Sequence, residues 1–251
     1  MDGKNDGIRS ARRLQGAAVI FSFVMTFSFQ PAYRGVAMDW DSKPLFSDEF
    51  TGGKPDLEWL PYLHFNRDNL YGALDPSSPG AEPGVGVLDN RKVGGFAALA
   101  YANAATISDF YLETWLYTQV VAEDKGPLNG IAFRVDPAGD RFYRLAAHFT
   151  AEPSLSLAYV GKDSNHFPVY LAQWKAAELP GGRPNKSGWH RVAIEVRDNK
   201  LEVYWDSAKL SGGPFVLDRA GAGYIGAYAN VTGALGTAET KLDGLRVWKL
   251  R

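Results

Sequence analysis

The sequence predicts an all-β domain, and three observations predict it. Short runs in which apolar and polar residues alternate with a period of two recur from about residue 44 onward. Clusters of Gly, Pro, Asn and Asp separate these runs, as turns require. No run of a dozen residues carries the 3.6-residue apolar period of a helix. The chain of 251 residues, 45% hydrophobic and 22% charged, is long enough for one domain of roughly 200 residues with its own core.

The N-terminal segment stands apart from that domain. Basic "RSARR" (9–13) precedes the apolar run "LQGAAVIFSFVMTFSF" (14–29), and "QPAYRGVA" then ends in small residues before "MDW". This order is that of a secretory signal, with cleavage expected after Ala37. As a membrane anchor the run is too short, because Gln30 and Pro31 stop it before the roughly 20 residues that cross hydrocarbon. Removing residues 1–37 takes away five of the 27 basic and two of the 28 acidic residues, leaving a net charge of about −4. That balance lacks the basic footprint of a nucleic-acid partner. With no cysteine, neither disulfides nor a thiolate zinc site can form, so an exported domain rests on core burial, which suits a bacterial envelope or extracellular protein. The sequons at Asn185 and Asn230 are read as chance matches.

The strands follow in order. In "DFYLETWLYTQVV" (109–121), Leu112, Thr114, Leu116 and Thr118 alternate with Tyr111, Glu113, Trp115 and Tyr117. The stretch "NGIAFRVDPAGDRFYRLAAHF" (129–149) reads as two strands and a turn. Alternation points Ile131, Phe133 and Val135 inward and Arg134 outward, and it sets Arg144 and His148 opposite Tyr143, Leu145 and Phe149. "RVAIEVRDNKLEVYW" (191–205) is a hairpin turning at Asp198-Asn199, and "YIGAYAN" and "LDGLRVWKL" complete the sheets. The Pro/Gly-rich loops 75–86 and 178–188 lie between strands, as surface connections or as the rim of a binding face. "GAGYIG" (221–226) matches a dinucleotide-binding pattern, but a strand follows it where that chemistry needs a helix N-terminus, so its glycines are read as turn and sheet-packing positions.

The segments "LFSDEFTGG", "DFYLETWLY", "NGIAFRVDPAGDRFYRL", "GWHRVAIEVRDNKLEVYWD", "GYIGAYA" and "LDGLRVWKL", in this order over about residues 44–250, resemble the concanavalin A-like lectin/glucanase superfamily. Within it the chain looks most like laminin-G-type jelly rolls and the 3-keto-disaccharide hydrolase domain. The resemblance implies a two-sheet antiparallel β-sandwich, with six or seven strands in each sheet and ligands on or beside a concave face. Glucanases of this superfamily carry Glu-x-Asp-x-x-Glu on one strand. The strand read as its counterpart offers only Glu113 before Thr114 and Trp115, so the paired carboxylates of a retaining glycosidase are absent from it.

If the strands at 109–121 and 129–149 are neighbours, Glu113, Trp115, Tyr117, Arg134, Arg144 and His148 share one surface. Aromatic rings take the C–H faces of a sugar while charged groups exchange hydrogen bonds with its hydroxyls. A secreted or periplasmic saccharide-binding protein is therefore the first expectation, with no nucleic-acid partner and no membrane contact beyond the signal segment. A hydrolase or lyase of a modified (3-keto) disaccharide, with Glu113 or His148 as general acid or base, is the alternative; an envelope protein-interaction module is a second. Trp174 and Trp189 are assigned to packing. No cofactor is required. The resemblance pairs the first and last strands, so Asp48 and Asp243 suggest a structural calcium, but two carboxylates are too few for one and turn capping or ion pairing is preferred.

Overall fold

The computed structural model describes residues 43–62, 70–80, 83–90, 97–121, 126–152, 154–182, 186–231 and 238–250. Residues 1–37, read above as a secretory signal, and Asn185 lie outside them. No helix among the described residues is long and apolar enough to cross a membrane. The described helical pieces are single 3-10 turns.

Among the described residues sixteen strands form two antiparallel sheets, as expected, though one holds nine strands where six or seven were expected and the other holds seven. The larger contains β1 (Phe46–Asp48), β3 (Tyr71–Leu74), β4 (Gly84–Asp89), β6 (Phe110–Thr118), β11 (Gly188–Arg197), β12 (Lys200–Trp205), β13 (Ala208–Lys209), β14 (Phe215–Val216) and β16 (Glu239–Lys249). Its order is β13-β12-β11-β6-β16-β4-β3, with β1 on β16 and β14 on β12. The smaller is ordered β10-β9-β8-β7-β15-β5-β2. It comprises β2 (Trp59–Pro61), β5 (Ala98–Ala102), β7 (Pro127–Asp136), β8 (Arg141–His148), β9 (Ser154–Gly161), β10 (Val169–Lys175) and β15 (Tyr224–Val231).

Alternation decides which residues meet between the sheets. Leu112 and Leu116 of β6, Val192, Ile194 and Val196 of β11, and Leu242, Leu245 and Val247 of β16 face Ile131 and Phe133 of β7 and Tyr143, Leu145 and Ala147 of β8 in one core. Each fully buried large apolar side chain adds about 1.5–3 kcal/mol, and this layer holds the domain together without cross-links. Trp174 belongs to it, as expected, with its indole N–H donating to the Ser211 carbonyl at 2.9 Å. The β11–β12 hairpin turns at Asp198 and Asn199, both at positive φ (50° and 61°). That geometry is the type I′ turn whose twist matches the flanking strands. Gly223 and Gly226 are packing glycines: a Cβ would lie 2.4 Å from the Arg134 carbonyl carbon and 2.6 Å from the Ala100 oxygen.

One topological fact changes the site expected from sequence. Strand β6 does not neighbour β7 and β8: it lies between β11 and β16 in the nine-stranded sheet, while β7 and β8 lie in the other sheet. The outward residues of the two groups therefore point away from each other, with the core between them.

Candidate functional site

On the nine-stranded sheet, Glu113, Trp115 and Tyr117 do share the outer face, but Glu113 and Tyr117 are occupied there. Glu113 is 6% exposed and accepts from the Arg191 guanidinium at 2.7 Å, with Arg246 at 3.9 Å; Arg246 in turn grips Glu49 at 2.7 and 2.9 Å. Cross-strand pairing fixes this ladder, since Arg246 is opposite Glu113 and Arg191 is opposite Trp115. Tyr117 meets Trp189 edge-on at 5.3 Å and lies under the Lys241 ammonium, whose charge is taken by Asp75 at 2.9 Å. Trp189 thus packs on a sheet surface, where its indole donates to Ser77 in the 75–86 loop. Opposed charges and rings satisfy one another across this face, leaving Glu113 a structural carboxylate.

Arg134 departs further from expectation. The β7–β8 register slips between Phe133 and Asp136, and Arg134 sits in the slip at φ 48°. This β-bulge turns the side chain inward instead of outward and moves Val135 to the outer cluster. The guanidinium, 0% exposed, donates to the carbonyls of Ala220 at 2.9 Å, Ser108 at 3.0 Å and Leu217 at 3.5 Å. Arg134 is a latch between loops, out of reach of any ligand.

The two aspartates do not fit a calcium site. Asp48 accepts the backbone N–H groups of Phe50, Asp56 and Leu57 and the indole N–H of Trp59. Asp243 accepts from the Ser78 hydroxyl and the Gly80 N–H. These donors claim the carboxylate oxygens for turn capping. No group of three or more His, Asp or Glu among the described residues is arranged to hold a metal.

Arg144 and His148 do lie where alternation predicts, on the outer face of the seven-stranded sheet. Their surroundings come from strands whose outward residues the sequence reading left unassigned, although the alternation of "YIGAYAN" sets Tyr224, Gly226, Tyr228 and Asn230 on one side. One cross-strand row runs Tyr101, Gly226, Ala132, Arg144, Ala158, Tyr170. The next runs Leu99, Tyr228, Gly130, Ala146, Ser156, Gln173. The alanines of these rows and Tyr228 are buried, Ala132, Ala146 and Tyr228 in a second apolar cluster, and the partly buried Tyr101–Tyr224 ring pair, at 5.0 Å, packs against its edge. Arg144 lies over the Tyr228 ring at 5.1 Å, a cation–π contact, and reaches the Ser156 hydroxyl at 3.4 Å. Burial and the Arg144 charge push the His148 pKa below 6.5, which favours a neutral imidazole. At the far end, Ser154 opposite His148 helps line an open depression of about 530 Å³ with Gln173, Lys175, Glu152 and Glu178. Among the described residues, the outward positions of β7, β8, β9 and β15 hold no Asp or Glu.

No family model matches this chain, and no curated protein matches it. Solved structures do. The carbohydrate binding module CBM66 from Bacillus subtilis is 13% identical, with a TM-score of 0.50 over 76% of this chain and 96% of that one. The shared fold is an antiparallel two-sheet jelly roll. The κ-carrageenase zobellia_236 from Zobellia galactanivorans is 14% identical with a TM-score of 0.53, covering 88% of this chain and all of that one. A GlcNAcα1-4Gal releasing endo-β-galactosidase from Clostridium perfringens is 15% identical with a TM-score of 0.54, over 85% of this chain and 65% of the enzyme. At these identities the likeness is one of jelly-roll architecture, and function has to be argued from the site.

Proposed function

We propose that this jelly roll is an exported carbohydrate-recognition protein that holds a saccharide on the outer face of its seven-stranded sheet. The observation that carries this reading is the open depression of about 530 Å³ at one end of that face, lined by Ser154, Gln173, Lys175, Glu152 and Glu178 beside His148, with the half-buried Tyr101–Tyr224 ring pair at the other end. A depression of this size admits a sugar ring, tyrosine rings pack against its C–H surface, and polar groups bond its hydroxyls. Structural neighbours that bind or cleave carbohydrates support the substrate class. The basic and then apolar N-terminal order supports export.

Cleavage is the second reading. A glycosidase of the two-carboxylate kind needs an acid–base or acid–nucleophile pair roughly 5–10 Å apart; among the described residues the outward positions around Arg144 supply none, while Glu152 and Glu178 line the depression beside His148. Glu113 is held by Arg191 on the opposite sheet, so it cannot partner His148 in acid–base work.

Titration of the purified protein with oligosaccharides from a glycan-array screen tests the reading. Tyr101→Ala and Tyr224→Ala should each weaken binding about tenfold or more, near 1.4 kcal/mol, while Trp115→Ala on the other sheet leaves it unchanged. Binding that survives both tyrosine changes and fails with Trp115→Ala would move the site to the nine-stranded sheet. Release of reducing sugar would replace recognition with cleavage.

A further inference from the structure

Among the described residues three aromatic rings are exposed, Tyr71, Phe167 and Tyr170. Two of them, Phe167 at 72% and Tyr170 at 50%, stand three residues apart where β10 begins, on the edge strand of the seven-stranded sheet. The Tyr170 ring has no aromatic partner and its hydroxyl no hydrogen bond among the described residues. Register fixes where it points: Tyr170 is opposite Ala158, Gln173 opposite Ser156 and Lys175 opposite Ser154, so all three share the outer face with Arg144 and His148. Strict alternation would send Tyr170 and Gln173 to opposite faces, and the register shift between Tyr170 and Ala172 brings them to one. Gln173 and Lys175 line the open depression with Glu152, Ser154 and Glu178. The Tyr170 and Gln173 rows are two residues apart on β9, about 7 Å at strand rise.

We propose that the ligand is an oligosaccharide chain of more than one ring, with one ring in the depression and the next stacked on Tyr170. The inference rests on the saccharide-binding reading above. A tyrosine ring packs against the C–H face of a sugar and gives up little freedom in doing so, since only two χ angles are fixed. The Gln173 amide and the Lys175 ammonium, both exposed, lie between this platform and the floor of the depression and donate to ring hydroxyls. Phe167 offers a further apolar surface where the chain continues past Tyr170. Single exposed apolar residues are ordinary on protein surfaces. Tyr170 differs in that a bulge sets its ring on the same face as the depression, one row away from a residue that lines it.

Calorimetry on the full chain tests this with laminari-, cello-, xylo- and galacto-oligosaccharides of one to six rings. In at least one series affinity should rise tenfold or more between one ring and three. Tyr170→Ala should abolish that rise, whereas Tyr170→Phe, which keeps the ring and loses the hydroxyl, should retain it. Tyr71→Ala, on the edge strand β3 of the other sheet, should retain it too. Tyr170 is half exposed, so its replacement should leave the thermal midpoint in place, and a lost rise then reports a lost contact. Equal affinity for one ring and for six overturns the inference and leaves saccharide binding standing. A rise that persists in Tyr170→Ala also overturns it. Sedimentation of the same proteins identifies the competing use of an open edge strand: a dimer formed by the wild type and not by Tyr170→Ala, with the rise unchanged, makes β10 a seam between copies. If none of these sugars binds, the saccharide reading itself fails and the platform falls with it.

Discussion

At the scale of single residues, position on a face separates residues that look alike in sequence. Arg134 and Arg144 are both outward cations by alternation, yet one donates to three carbonyls between the sheets and the other lies buried on the far side of its sheet, over the Tyr228 ring and bonded to the Ser156 hydroxyl. His148 shows what burial beside Arg144 does to a titrating group. Its folded pKa is lowered from 6.5, so the unfolded chain takes up the proton first. The stability it confers is complete above about pH 6.5 and drains away as pH falls through that value toward the folded pKa. Denaturant midpoints measured from pH 7.5 to 5 should therefore fall more steeply for the wild type than for His148→Gln. Parallel curves would show that the imidazole titrates alike in both states.

At the scale of elements, strands were legible and their irregularities were not. The β11–β12 hairpin announces itself through strict alternation around Asp198-Asn199, a pair that tolerates the left-handed turn. The β7 bulge has no such marker, because a non-glycine residue at positive φ is held by its surroundings and not by its own preference. One inserted residue then reverses Arg134 and Val135 relative to Phe133. Arg134→Met keeps much of the side-chain volume and strips the donors from the Ser108, Leu217 and Ala220 carbonyls. It should cost about 3–5 kcal/mol in urea unfolding, with saccharide affinity preserved in the folded fraction. A stability loss near zero would show that the latch is dispensable.

At the scale of the molecule, topology distributes chemistry that the linear order had placed together. Consecutive strands usually lie side by side, but the step from β6 to β7 crosses from one sheet to the other, and local pattern carries no sign of such a crossing. The result is a domain with two unlike outer sides: one carries the Glu113, Arg191, Arg246 and Glu49 ladder, the other a largely apolar cluster in which Arg144 is held by the Tyr228 ring and the Ser156 hydroxyl. Glu113→Gln, which unpairs Arg191 inside that ladder, should lower stability by about 1–3 kcal/mol without changing ligand affinity. A thermal shift assay run beside calorimetry separates the two effects, and a loss of affinity at unchanged stability would return Glu113 to the binding site.

The pairing of β1 with β16 brings the two ends of the sandwich together, with Phe46 opposite Val247 and the Leu45 N–H bonded to the Val247 carbonyl at 2.7 Å. A closed module of this kind is a plug-in unit. The first and last strands lie side by side in the nine-stranded sheet, so a host chain can accept the whole sandwich within a single loop without separating its own flanking segments.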